Sequence, residues 1–498
     1  MIPLVRRLLL VTFLVGTGLR AQEIHDHPIP EKLGEVSFRT SCNATTQPQF
    51  NRAVALLHSF AYAAAEDAFQ KVADKDPQCA MAHWGIAMTH FHQLWEPPLP
   101  AAGLPAGITE IGKAQRMDAN ASPRERGFID ALGQIYHDAD TVPYATRAAR
   151  YEQAMAAVAA ANKKDTEAQV FYALALLSNA SPFDKTHSKQ KQAAALLEPL
   201  FRAFPQHPGV PHYLIHANDN AEMAEGGLTA ARIYAKIAPS APHALHMPSH
   251  IFTRLGLWDD SIASNIAARQ AAHRQHDIGE ELHAMDYLTY AYLQRGQDPE
   301  AARIVLQLRA MQPLKNDDFK TGYAATVMPI RYAIERRQWA EAASIVAPPD
   351  PALPQVVAFA VWARGIGLAR GGHAAETGPQ IQFLRQIQQK LHKSGDEYWA
   401  AQTGIMLREV RAWSAQGQKK PVAAAALLRS AADQEDGIEK LPVTPGPIVP
   451  AREQLGDLLL EQGKPDLAAK EFAVALRNAP GRRGALQGSE RAAKLAAR

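Results

Sequence analysis

Residues 451–480 read AREQLGDLLLEQGKPDLAAKEFAVALRNAP, and this stretch decides the fold. Leu455, Leu459, Ala468, Phe472 and Ala475 recur at helical spacing on either side of Gly463. The spacing predicts two helices joined by a tight turn. Gly456 and Ala468 are small enough to let the paired helices approach, Gly463 makes the turn, and Pro480 ends the second helix. A two-helix unit of this kind stacks on neighbouring units to cover its apolar face.

The same spacing recurs along the chain. Ala65, Phe69 and Pro77 end an early unit, and Ala80, Ile86 and Ala87 begin the next helix. Leu255-Gly256-Leu257-Trp258, Arg295-Gly296 and Arg336–Ala342 are further turns between helices. This pattern resembles the tetratricopeptide-repeat superfamily over most of residues 47–490, as eight to ten helix pairs. It is strong at the C-terminus and degenerate between about 95 and 205. The resemblance implies an all-α, right-handed superhelical solenoid of stacked antiparallel helix pairs. Composition agrees, since 47% of residues are hydrophobic but only 7% aromatic, and Ala-rich runs suit close-packed helices.

The organisation that follows has a signal peptide at 1–21 and an extended leader at 22–46. Degenerate repeats run from 47 to 205, central repeats from 206 to 350, and further helical repeats from 351 to 440. A loop at 441–450 with four prolines introduces the last repeat and tail at 451–498. Two other interruptions are Glu96–Pro100, rich in proline, and the polar insertion Ser181–Lys191.

The N-terminus carries a charged Arg6-Arg7, an apolar Leu8–Val15 and small residues up to Ala21, the pattern of a cleaved secretory signal. The expected location is therefore periplasmic or secreted, as in an exported bacterial-type protein. Arg6, Arg7 and Arg20 account for the formal charge of +3, so the mature chain is near neutral. It lacks the basic field that nucleic-acid binding needs. No later segment is apolar for long enough to insert in a membrane. Cys42 and Cys79, an even count in an exported chain, are expected to form a disulfide.

Chemistry concentrates in two histidine pairs. His212 and His216 are four residues apart, as are His246 and His250, and the second pair follows the first by 34 residues, the period of the tetratricopeptide repeat. An i,i+4 spacing sets both rings on one helix face. Within the repeat frame each pair falls at positions 5 and 9 of a first helix. His243 and His283 fall at position 2 of consecutive units and Asp286 at position 5. In the superfamily these positions line the concave groove, so the resemblance implies one groove presenting His212, His216, His243, His246, His250, His283 and Asp286.

Such a set can hold a divalent transition metal, zinc or copper, with Asp219, Glu222 or Asp286 as carboxylate ligand, orienting partner or proton-transfer group. Neither pair carries the glutamate of the HExxH motif, so zinc-protease chemistry of that type is not indicated. No phosphate-binding glycine loop and no GxSxG elbow occurs. The groove equally suits a metal-free site for a protein, peptide or small ligand. The readings that stay open are a binding module, a metal-dependent enzyme using Asp219 or Asp286, and a scaffold without a small-molecule site. His58 and the cluster His83, His90 and His92 read as core residues. Pro248, at position 7, is expected to kink its helix, and Pro329 occupies the same position two units on.

Overall fold

The computed structural model describes residues 31–94, 103–311, 313–314 and 318–497. The signal segment and the Glu96–Pro100 loop lie outside the described residues. Within them the chain is α-helix, short 3-10 turns and connections, with no strand. Helices stack on one another in chain order, pair after pair, as an all-α solenoid.

The last hairpin shows why the sequence pairs this way. Helices Ala451–Glu461 and Pro465–Asn478 turn at Gly463, whose φ of +71° favours glycine. A Cβ on Gly456 would lie 2.6 Å from the Phe472 ring, so the small residue is what admits the aromatic. Gly256 and Gly296 make the central turns with φ of +68° and +77°. The region from 103 to 203, where the sequence pattern fades, is as regularly stacked as the rest. Its helices Gly103–Arg116, Pro123–Tyr136, Tyr144–Ala161, Thr166–Ser178 and Ser188–Ala203 bury residues such as Phe128, Tyr151 and Phe171.

Pro248 divides its helix into Pro242–His246 and Pro248–Arg254, because the ring removes a backbone donor in mid-helix. Pro329 is accommodated inside the continuous helix Phe319–Glu335.

Two segments depart from the expected organisation. Residues 32–42 are a strap more than a leader. The Lys32 N–H donates to Ser240 Oγ at 2.8 Å and the Glu35 N–H to the Gln206 carbonyl at 2.8 Å. Phe38 is fully buried among Phe50, Trp84 and Phe128. Cys42 and Cys79 form a disulfide that ties this strap to the start of helix Ala80–Thr89. The bridge closes a separation of 37 residues. Loop-closure entropy then gives it about 3–4 kcal/mol of stabilisation. The double variant Cys42→Ser/Cys79→Ser is expected to lower the unfolding free energy measured in urea by that amount, and an unchanged value would contradict it.

The second departure is the proline-rich stretch. Besides introducing the last repeat, residues 439–450 fold back onto the central units. Lys440 reaches Asp219, Tyr287 Oη lies 3.4 Å from the Pro442 carbonyl and 3.3 Å from that of Thr444, and Arg331 donates to the carbonyls of Gly446 and Pro447. Proline lacks an N–H but keeps its carbonyl, so an extended proline-rich chain offers acceptors without leaving donors stranded. The last unit closes over the same region. Trp258 Nε1 donates to the Gly481 carbonyl at 3.0 Å, and a Cβ on Gly256 would meet the Pro480 oxygen at 2.5 Å.

Candidate metal centre

Three consecutive first helices build the site. Gly209–Asn218 carries His212 and His216. The broken helix 242–254 carries His243, His246 and His250. Ile278–Gln294 carries His283, Asp286 and Tyr287. The rings meet across these helices in T-shaped or tilted pairs. His212 is 5.0 Å from His243 between ring centres, His216 is 5.9 Å from His250, and His246 is 4.2 Å from His283. All are buried except His216, which is partly open. The two pairs a repeat apart thus face one side of consecutive first helices, as the frame requires. They sit on an all-α solenoid of helix pairs stacked in chain order.

Donor atoms fall into two sets, His212/His216/His243 and His246/His250/His283. Within each set they lie within 4.8 Å of one another. The outer nitrogens are pinned. His212 Nδ1 donates to the His58 carbonyl at 2.6 Å, and His250 Nδ1 donates to Asp219 Oδ2 at 2.8 Å. His246 Nδ1 meets Asn265 Oδ1 at 2.6 Å, and His243 Nδ1 meets Glu280 Oε2 at 3.3 Å. Asn265 Nδ2 is spent on the Ser261 carbonyl, so Oδ1 accepts from His246. With Nδ1 protonated, Nε2 of a neutral imidazole carries a lone pair. His246 Nε2 and His250 Nε2 are 3.0 Å apart, two lone pairs turned toward each other. Nε2 of His212 and His216 are 3.1 Å apart.

Burial keeps the rings of His212, His216, His246, His250 and His283 neutral, because it disfavours the charged form. It lowers His212, with His216 and His243 adding to the effect, and lowers His246, with His250 and His243 adding. His250 is brought down to about 4 by burial against the opposing pull of Asp219.

The carboxylates take different places. Burial alone would raise Asp219, but Lys440, Arg254 and His250 outweigh it and hold the group well below the carboxylate range. Lys440 Nζ lies 2.6 Å from Oδ2 and Arg254 Nε 2.9 Å from Oδ1. An ionised, triply engaged carboxylate orients His250 and is not poised to accept a proton. Asp286 is fully buried and raised to about 6 by burial, opposed by Arg331, whose Nε lies 3.7 Å away. Glu222 is exposed and engages Lys191, away from the groove. His83 bonds Glu110, and His58 is held between Tyr213 and Glu167 while its carbonyl positions His212.

Sequence reasoning missed Asn265, Glu280, Tyr287 and Lys440. Asn265 had a signal: it sits at position 24 of its unit, where Phe69 and Phe472 pack as aromatics in theirs. A fully buried amide at that position needs a polar partner.

Beyond the Arg254–Asp219–Lys440 node lies a cavity of about 170 Å³, lined by Tyr290, Tyr323, Trp362, Tyr398, Trp399 and Glu435 among others. Glu435 is pushed up to about 8 by burial, with Asp436 adding to it and the Ala451 N–H opposing. A carboxyl raised in the folded state stabilises fully below its unfolded value of 4.5, and that contribution is lost as pH rises toward about 8. Glu435→Gln is therefore expected to reduce the drop in urea midpoint between pH 5 and pH 8. An unchanged drop would show that Glu435 does not drive it.

No family model and no characterised protein matches the sequence. Among solved structures, a human IFIT1 dimer with m7Gppp-AAAA is similar at 11% identity and a TM-score of 0.38, over 84% of this chain and 90% of that one. Yeast Tom70 is similar at 11% identity and a TM-score of 0.31, over 90% and 88%. The P58(IPK) TPR domain is similar at 13% identity and a TM-score of 0.22, over 91% and 99%. Overlays this loose say nothing of what this chain binds. No helix among the described residues is long and apolar enough to cross a membrane.

Proposed function

We propose that the protein is an exported binding module that holds a transition metal, zinc or copper, through the groove histidines His212, His216, His243, His246, His250 and His283. The observation that carries this reading is the His246–His250 pair. Both Nδ1 atoms donate outward, so two lone pairs face each other at 3.0 Å in a buried site. A cation between them turns that repulsion into coordination. Outward hydrogen bonds to a carboxylate, a backbone carbonyl and an amide are the usual supports of metal-bound imidazoles. The chain's own residues 440–447 lie where a peptide would otherwise enter. The ligand favoured at the histidines is therefore small.

A metal-dependent enzyme is the second reading. It is favoured by the aromatic cavity, whose wall includes Thr253, Arg254 and Lys440 beside the site. Asp286, one turn from His283, is its candidate proton carrier.

Asp219→Asn tests the support directly. It keeps the shape but loses the charge that fixes His250, and is expected to weaken metal binding by about 10–100-fold. Competition titration with a chromogenic chelator measures this. Equal affinity in both proteins would remove Asp219 from the site.

A further inference from the structure

We propose that the two histidine triads form one dinuclear copper centre, with His212, His216 and His243 on one ion and His246, His250 and His283 on the other. The two ions share a small bridging anion. This rests on the metal reading above and goes beyond it in number of ions, identity and ligand class.

The division into two sets is geometric. Each i,i+4 pair converges its Nε2 atoms, at 3.1 Å in one triad and 3.0 Å in the other. An ion bound at roughly 2.0–2.1 Å to both nitrogens of a pair would see them about 95–100° apart, an ordinary chelate angle. Each pair thus defines its own ion position. The third donor comes from a neighbouring turn or helix, and the donor atoms lie within 4.8 Å of one another as two triads, not as one set of six. Six imidazoles around a single ion would have to crowd closer than this division allows.

Two ring pairs join the triads, His216 to His250 at 5.9 Å and His243 to His246 at 6.0 Å between centres. Two-metal sites hold their ions roughly 3.5–4 Å apart, close enough to share one oxygen or anion.

The donors select the element. Neither triad contains a carboxylate, which disfavours magnesium, calcium and manganese. Imidazole suits copper, zinc, iron and nickel, and copper stands highest among them in intrinsic affinity. Three ligands per ion leave each with an open position. Only His216 is partly open to solvent, so the shared ligand must be of hydroxide or azide size.

The test loads untagged, metal-stripped protein with excess Cu(II), desalts it, and measures copper by elemental analysis beside the integrated EPR signal. Two coppers per chain are expected, with a spin count well below the copper count because a bridge couples the ions, and with optical bands that shift on azide addition. His216→Ala is expected to hold one copper with a full spin count; its circular dichroism reports that it is folded. One copper per wild-type chain would overturn the pair while leaving the metal reading intact. Two coppers with full spin intensity would mean independent sites and overturn the shared bridge. No retained copper would overturn the metal reading and the pair together.

Discussion

His246→Ala is expected to abolish stable metal binding in its triad, with affinity falling by at least about 100-fold, more than loss of a supporting residue costs. His246 is 1% exposed and lies on the contact path of both triads, 5.0 Å from His250, 4.2 Å from His283 and 6.0 Å from His243 between ring centres. Removing it takes away one of the two facing Nε2 atoms, so the chelate is lost with the ligand. It also leaves Asn265 Oδ1 buried without its donor, at a cost of about 1–3 kcal/mol. The metal-free variant is therefore expected to be less stable than the metal-free parent by that amount. Metal is expected to raise the parent's melting temperature and to raise the variant's by clearly less, since only the His212/His216/His243 triad remains. Equal stabilisation of both by the same metal concentration would show that the ion binds elsewhere.

Arg482→Ala is expected to cost about 3–5 kcal/mol, the usual result of removing one member of a buried ion pair. Arg482 is fully buried. It donates to Glu453 Oε2 at 2.8 Å, to Glu335 Oε1 at 3.0 Å and to Tyr290 Oη at 3.0 Å. It thereby fastens the last repeat to two central helices, Ile278–Gln294 and Phe319–Glu335. Without it, Glu335 and Glu453 face each other with only Arg331 to offset the charge on Glu335. Arg482→Lys keeps the charge but not the planar fork, so it cannot serve both carboxylates as well and should fall between parent and alanine variant. Urea unfolding measures both. A loss under about 1 kcal/mol for the alanine variant would mean that this node does not hold the solenoid closed.

The fold was legible because a 34-residue period carries its own geometry. Gly456 against Phe472 and the turn glycines at 256, 296 and 463 are local features, visible wherever the spacing is intact. Positions 5 and 9 gave His212, His216, His246 and His250 a common direction for the same reason. What the chain did not disclose is set by curvature, which accumulates over many units and has no short-range signature. Lys440 and Asp219 are 221 residues apart, and Arg482 and Tyr290 are 192 apart. No local pattern reports such meetings. The proline-rich stretch was legible as irregular, but where an irregular segment lies depends on which acceptors the groove needs. Asp219 illustrates the same gap. Its position beside the histidines was readable, whereas the ion pairs that make it an orienting residue depend on a lysine brought from the far end of the chain.

The most direct measurement is the metal content of untagged protein, purified without chelating resin, incubated with copper or zinc and then desalted. At least one equivalent per chain should remain bound, and the double variant His212→Ala/His246→Ala should retain almost none while keeping its helical circular dichroism. Less than a tenth of an equivalent in the parent, or the same content in parent and double variant, would contradict a metal centre in the groove.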